Sequence, residues 1–167
     1  MNIPEVRRIG SEEWRELRRL RLEALRDTPL AFGSTYASDA ALDDAAWQRW
    51  AADAAAATHH VIVVGVSGGR WVAMARGSVA NDEPADAFLT AVYVTPAWRG
   101  HGLGRAVSAA VIAWARARGL ARMRLHVAGW NDAARRTYES LGFVATGATE
   151  PLPHDPSVTE HEMALVL

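Results

Sequence analysis

The densest run of chemically useful residues is Val92-Tyr93-Val94-Thr95-Pro96-Ala97-Trp98-Arg99-Gly100-His101-Gly102-Leu103-Gly104-Arg105. Apolar strand formers give way to a proline, then to glycines at alternate positions, then to a helix-forming segment. A helix that starts in such a turn presents unpaired backbone N–H groups and the positive end of its dipole, and together these bind phosphate. Arg99 and Arg105 flank the turn and can add charge-assisted hydrogen bonds. The same residues also suit a plain strand-to-helix connection bordered by solvated arginines. A dinucleotide fingerprint does not fit. Counted from Gly100, its third glycine position holds Arg105, and Gly119 to Arg122, about 20 residues on, has no ribose-binding acid.

Two absences narrow the chemistry further. The 167 residues include no cysteine, which excludes a thiolate nucleophile, a disulfide framework and a thiolate metal site. All 18 basic residues are arginine, so no P-loop lysine and no Schiff-base lysine exists. Scattered acids and histidines near the C-terminus lack a helical His-x-x-x-His spacing, and no metal is expected. The net charge of −1 gives no field that would recruit nucleic acid or an anionic membrane. No stretch reads as a signal or a membrane span, so the expectation is a soluble, cytoplasmic protein of one domain, residues 1–167.

The elements that position the glycine turn follow from periodicity. Glu5–Ile9 reads as a strand, Ser11 as a helix N-cap, and Trp14, Leu17, Leu20, Leu22 and Leu25 as an apolar stripe ended before Pro29. Residues 30–41 read as a turn, followed by a helix from about Asp43 with Trp47, Trp50, Ala51 and Ala54 on one face. Val61–Val66, Trp71–Val79 and Phe88–Val94 are strands separated by turns. A helix then runs to about Arg118, with Gly119 as its left-handed terminator. Met123–Val127 is a strand, Asp132–Leu141 a helix, Phe143–Ala145 a strand start and Met163–Leu167 the last strand. Hairpin-like strands before a strand–helix–strand unit imply a mixed α/β architecture, a sheet covered by helices.

Arg99-Gly100-His101-Gly102-Leu103-Gly104 resembles the Arg/Gln-x-x-Gly-x-Gly/Ala motif of the GNAT superfamily of N-acetyltransferases. At the separation that family shows, Asn131-Asp132-Ala133-Ala134-Arg135-Arg136-Thr137-Tyr138-Glu139-Ser140-Leu141-Gly142-Phe143 is similar to its Asn-x-x-Ala-x-x-x-Tyr-x-x-x-Gly-Phe segment. The order of elements agrees over nearly the whole chain. The resemblance implies a twisted, mostly antiparallel mixed sheet of about six or seven strands, helices on both faces, and fourth and fifth strands that splay apart to admit acetyl-coenzyme A.

By the same resemblance, Val92 and Val94 would meet the pantetheine arm with backbone groups. Arg99, Gly100, His101, Gly102, Leu103, Gly104 and Arg105 would hold the pyrophosphate, and Asn131 would bind near the pantetheine end. Tyr138 would be the general acid that protonates the departing thiolate; a tyrosine, with an ordinary pKa of about 10, is protonated at neutral pH. The Val94 N–H would help hold the oxyanion. No acid lies on the fourth strand, so the base is open among Glu83, Asp86, His126, a water relay and an amine that arrives neutral. Arg135 and Arg136 read either as a 3′-phosphate contact or as a solvated helix face. Trp98 and Trp130 border the two motifs, and Phe32 and Tyr36 are the acceptor-site candidates, with packing between helices as their plain alternative. The implied activity is direct transfer of acetyl to a primary amine of a small molecule or peptide. The alternative is a non-catalytic acyl-coenzyme A binding module. Homodimerisation through the C-terminal strands, Met163–Leu167, is a further implication.

Overall fold

In the computed structural model, residues 3–167 are described. They form β1 (Glu5–Arg8), α1 (Trp14–Asp27), α2 (Tyr36–Ala40), α3 (Asp44–Ala56), β2 (His60–Ser67), β3 (Arg70–Val79), β4 (Asp86–Val94), α4 (Leu103–Ala117), β5 (Arg122–Ala128), α5 (Asp132–Ser140), β6 (Val144–Leu152) and β7 (Asp155–Val166). The seven strands make one sheet in the order β1-β2-β3-β4-β5-β7-β6. All neighbours are antiparallel except β4 and β5.

Alternation along the central strands splits the core into two layers. Val61, Val63, Ala73, Ala75, Leu89, Met123, Leu125 and Val127 pack beneath α4 and α5 with Val107, Val111, Trp114 and Phe143. Ile62, Val64, Met74 and Tyr93 point the other way, into Trp14, Leu17, Leu20, Phe32 and Trp47. Helix α4 lies so close to β3 that a Cβ on Gly77 would stand 2.6 Å from Val111 Cγ1.

Several local expectations need correction. Ser11 does not cap α1: the N-cap is Glu13, whose carboxylate is turned back to accept the Gly10 N–H (2.7 Å) and to pair with Arg7 (2.7 Å). That contact ties the helix start to β1. Residues 30–41 are not all turn, because Thr35 and Ser38 cap each other's backbone and start the short α2. The C-terminal strands are longer than expected, and Phe143 is a core residue just before β6. β7 is also not an edge: it lies between β5 and β6, leaving β6 outermost.

The feature that matters most for function is where β4 and β5 stop pairing. They are in register only at Asp86–Phe88 with Arg122–Arg124. Ala91, at φ +53°, is an extra residue in β4: Tyr93 faces Met74 and Thr90 faces Arg76, so Ala91 and Val92 together oppose Ala75. Such a bulge bends its strand. Beyond it β4 stays on β3 and leaves β5, so no β5 residue pairs with Leu89 to Val94.

Candidate active site

A cavity of about 850 Å³ occupies the gap between β4 and β5, within the usual size of small-ligand sites. Residues of both core layers line it. From one side come Val92, Val94, Leu103, Asn131 and Tyr138; from the other come Arg21, Phe32, Arg76, His126 and Glu160.

The glycine turn forms one mouth. Gly100 (φ +77°) and Gly102 (φ +81°) hold left-handed backbone that an L side chain resists, and Gly102 is the N-cap of α4. No side chain caps that helix end. Its first N–H groups are therefore available to an anion. Arg99, Gly100, Gly102, Leu103, Gly104 and Arg105 all line the cavity. Arg99 is partly committed, pairing with Asp27 and donating from Nε to the Val94 carbonyl (3.0 Å). His101 is the member of the turn that the structure does not bring to the cavity. Its Nδ1 lies 2.8 Å from the Arg99 carbonyl and its ring meets Trp98 edge-on.

The second motif faces the turn across the gap. Asn131 caps α5 by accepting the Ala134 N–H on its side-chain oxygen (3.2 Å), and it lines the cavity. Tyr138 lies about two turns further, against the Phe143 ring. Burial pushes its hydroxyl well above the ordinary tyrosine range. No hydrogen bond to it is formed within the described residues. Tyr138 thus brings a hydroxyl without a hydrogen-bond partner to the wall of the gap.

The three base candidates separate clearly. Asp86 is buried in β4 and engaged by Arg122 (2.6 Å) and Arg124 (2.9 Å), a structural ion pair rather than a turn acid. Glu83 lies outside the cavity, and His126 lies within it. The His126 ring stacks on Phe88 and stands between Glu150 (3.5 Å from Nδ1) and Glu162 (3.7 Å from Nε2). Sequence reasoning missed Glu150 and Glu160, which also line the cavity. Register explains the grouping: Glu160 faces Ala128 and Glu150, Glu162 faces His126, and alternate residues share a face. Burial raises the Glu160 carboxyl above its usual range, with Glu150 adding to the rise and His126 opposing it.

Phe32 lines the cavity, packed against Tyr93 and under Arg21. Tyr36 does not. Its hydroxyl is 2.6 Å from Arg26, and it borders a shallower depression next to α1. Trp98 lines the cavity and Trp130 is exposed outside it. Arg135 pairs with Glu139 on the solvent side of α5.

Residues 14–143, spanning α1 to the end of α5, match the sequence model of the acetyltransferase (GNAT) family. The chain belongs to this GNAT family. The same architecture recurs in solved members. An acetyltransferase from Salmonella typhimurium, determined with its cofactor acetyl-CoA, superposes with a TM-score of 0.82 at 22% identity, covering 100% of this chain and 95% of that one. A phosphinothricin acetyltransferase from Sinorhizobium meliloti, in complex with acetyl-CoA, gives 0.81 at 17% identity over 99% and 89% of the two chains. Among curated relatives, a mycothiol acetyltransferase from Thermobispora bispora is 49% identical over 67 residues, 38% of this chain and 23% of that protein. Another, from Nocardiopsis dassonvillei, is 41% identical over 80 residues, 47% and 24% of the two. The match therefore spans about a quarter of those curated proteins. As a GNAT domain this chain keeps the glycine turn and the Asn131–Phe143 segment, and carries no acid on β4 beyond Asp86 at its start.

Proposed function

We propose that the protein transfers the acetyl group of acetyl-CoA directly to a primary amine, with the gap between β4 and β5 as the cofactor slot. The observation that carries this reading is the unpaired β4 edge ending at an uncapped helix start, with Tyr138 lining the same cavity. An amide-bearing pantetheine arm adds to a free strand edge as another strand would. Val92 and the N–H of Val94 supply that edge, and the residues from Gly100 to Arg105 hold the pyrophosphate. Asn131 donates its amide N–H to the arm.

Chemistry follows from the placement. The amine nitrogen attacks the thioester carbonyl, the Val94 N–H stabilises the oxyanion, and the C–S bond breaks as the intermediate collapses. The departing thiolate is desolvated beside Tyr138, so it accepts that proton more readily than it would in water. The proton lost by the amine goes to His126, which stands within 3.5 Å of Glu150 and 3.7 Å of Glu162. The absence of cysteine favours direct transfer over a thiol-borne acyl-enzyme. The relatives named mycothiol acetyltransferase support a small-molecule acceptor.

Release of free coenzyme A thiol from acetyl-CoA, over a panel of primary amines, tests the reading. Turnover with at least one amine, lost in Tyr138→Phe, is expected. Tight acetyl-CoA binding with no turnover on any amine would instead favour a non-catalytic acyl-coenzyme A module.

A further inference from the structure

The acceptor end of the cavity contains a charge that the transfer chemistry does not use. Arg76 stands on β3 opposite Thr90 and lines the cavity beside it. Its Nε is buried with no hydrogen-bond partner, and among the described residues no carboxylate pairs with it. Burial and the neighbouring Arg21 lower its pKa from the usual guanidinium value. Arg21 does not relieve it, because its own Nε is bound to Asp39 at 3.0 Å. His60, next on the same face, is pushed toward its neutral form by burial and by Arg76. Of the two arginines on this wall only Arg21 has a carboxylate. Arg76 is half-buried, its Nε shielded and its guanidinium on the cavity wall without a protein partner. Such charges concentrate where a ligand supplies the missing partner.

Across β4 the opposite wall has the reverse sign. Glu150 and Glu160 project beside His126, and Glu160 is a buried carboxyl. The chamber is thus dipolar, guanidinium on the β3 side and carboxylates on the β6–β7 side. We propose that Arg76 is an oxyanion subsite and that the acceptor is a small amine that also carries a carboxylate, as a free amino acid does. Its carboxylate sits on the Arg76 guanidinium, and its ammonium is drawn to Glu160 and Glu150 beside His126. This rests on the acetyltransferase reading and adds to it the class of the acceptor.

The test compares matched pairs, each a free amino acid and its carboxamide, by coenzyme A release. The acid is expected to exceed the amide in kcat/KM by roughly 10–100-fold, the range of a charge-assisted pair. In Arg76→Gln that preference should vanish through a rise in KM for the acid, with thermal stability nearly unchanged because Arg76 has no protein partner to lose. A second readout needs no turnover. In the coenzyme A-loaded protein labelled with ¹⁵N-arginine, N-acetyl-leucine should shift the Arg76 Nε–H resonance and N-acetyl-leucinamide should not. Equal use of acid and amide, an unchanged preference in Arg76→Gln, or no shift with N-acetyl-leucine overturns the subsite. A protein that binds no acetyl-CoA contradicts the acetyltransferase reading instead, and the same titration without cofactor still decides the subsite.

Discussion

The role proposed for Tyr138 rests on burial. Desolvation alone raises its hydroxyl, so on that proposal its proton stays on until a thiolate forms beside it. Tyr138→Phe should lower kcat by about 10²–10⁴-fold and leave the KM for acetyl-CoA nearly unchanged, as removal of a general acid does. Gly102 makes a different kind of contribution, through backbone. At φ +81°, Gly102→Ala should cost about 1–2 kcal/mol of stability by denaturant titration, and it should weaken acetyl-CoA binding by disturbing the α4 start. Both residues were picked out by the resemblance of their two motifs, and both line the cavity. Arg76 was not picked out, because in the run Trp71–Val79 it reads as an ordinary outward polar position. Only the fold reveals that its Nε is buried without a partner on the cavity wall.

At the level of elements, the site depends on α4 being held hard against β3. The contact point is Gly77, where no Cβ fits beside Val111 and Trp114. Gly77→Ala should destabilise by about 1–3 kcal/mol, the range of overpacking, and should shift the glycine turn at the head of α4; chemical denaturation and acetyl-CoA titration of one variant check both. The β1–α1 junction gives a pH signature. The Arg7 side chain, against the opposing effect of burial and with the help of the Gly10 N–H, depresses the Glu13 carboxyl from 4.5 to about 2. A carboxyl depressed in the fold contributes stability above its unfolded value and loses it as pH falls through the folded one. Stability should therefore decline between about pH 4.5 and 2, and Glu13→Gln should remove that part of the decline in a pH series of melts. Most elements could be read from period and caps, among them Asp43 at the start of α3 and Gly119 beyond α4. The β6–β7 hairpin could not. Nearly every residue of β6 is exposed, and Gly147 and Pro151 interrupt it, so no alternation marks the strand. With it went Glu150 and Glu160, whose approach to His126 is a product of cross-strand register rather than of sequence distance.

For the molecule as a whole, the splay is what couples fold to function. Pairing with β5 ends at Phe88, the Ala91 bulge follows in β4, and the cavity between the two strands reaches both core layers. On the proposed reading the cofactor and the acceptor approach from opposite faces of one sheet. Any homodimer formed through the sheet would use β6, the outermost strand at that end, and not Met163–Leu167 as expected from sequence. Light scattering of a variant with Thr149→Lys on that strand would report it, since a like charge repeated across the two-fold should drive the protein to monomer. The central claim is that this gap is a coenzyme A slot. The direct measurement is thermal unfolding with acetyl-CoA, coenzyme A, NAD and ATP in parallel. A ligand at about 100 times its dissociation constant stabilises by about 2.7 kcal/mol, several degrees for a domain of this size. The predicted result is a rise of that order with acetyl-CoA and coenzyme A, and little with NAD or ATP. No rise with either coenzyme A compound, or an equal rise with all four, would contradict it.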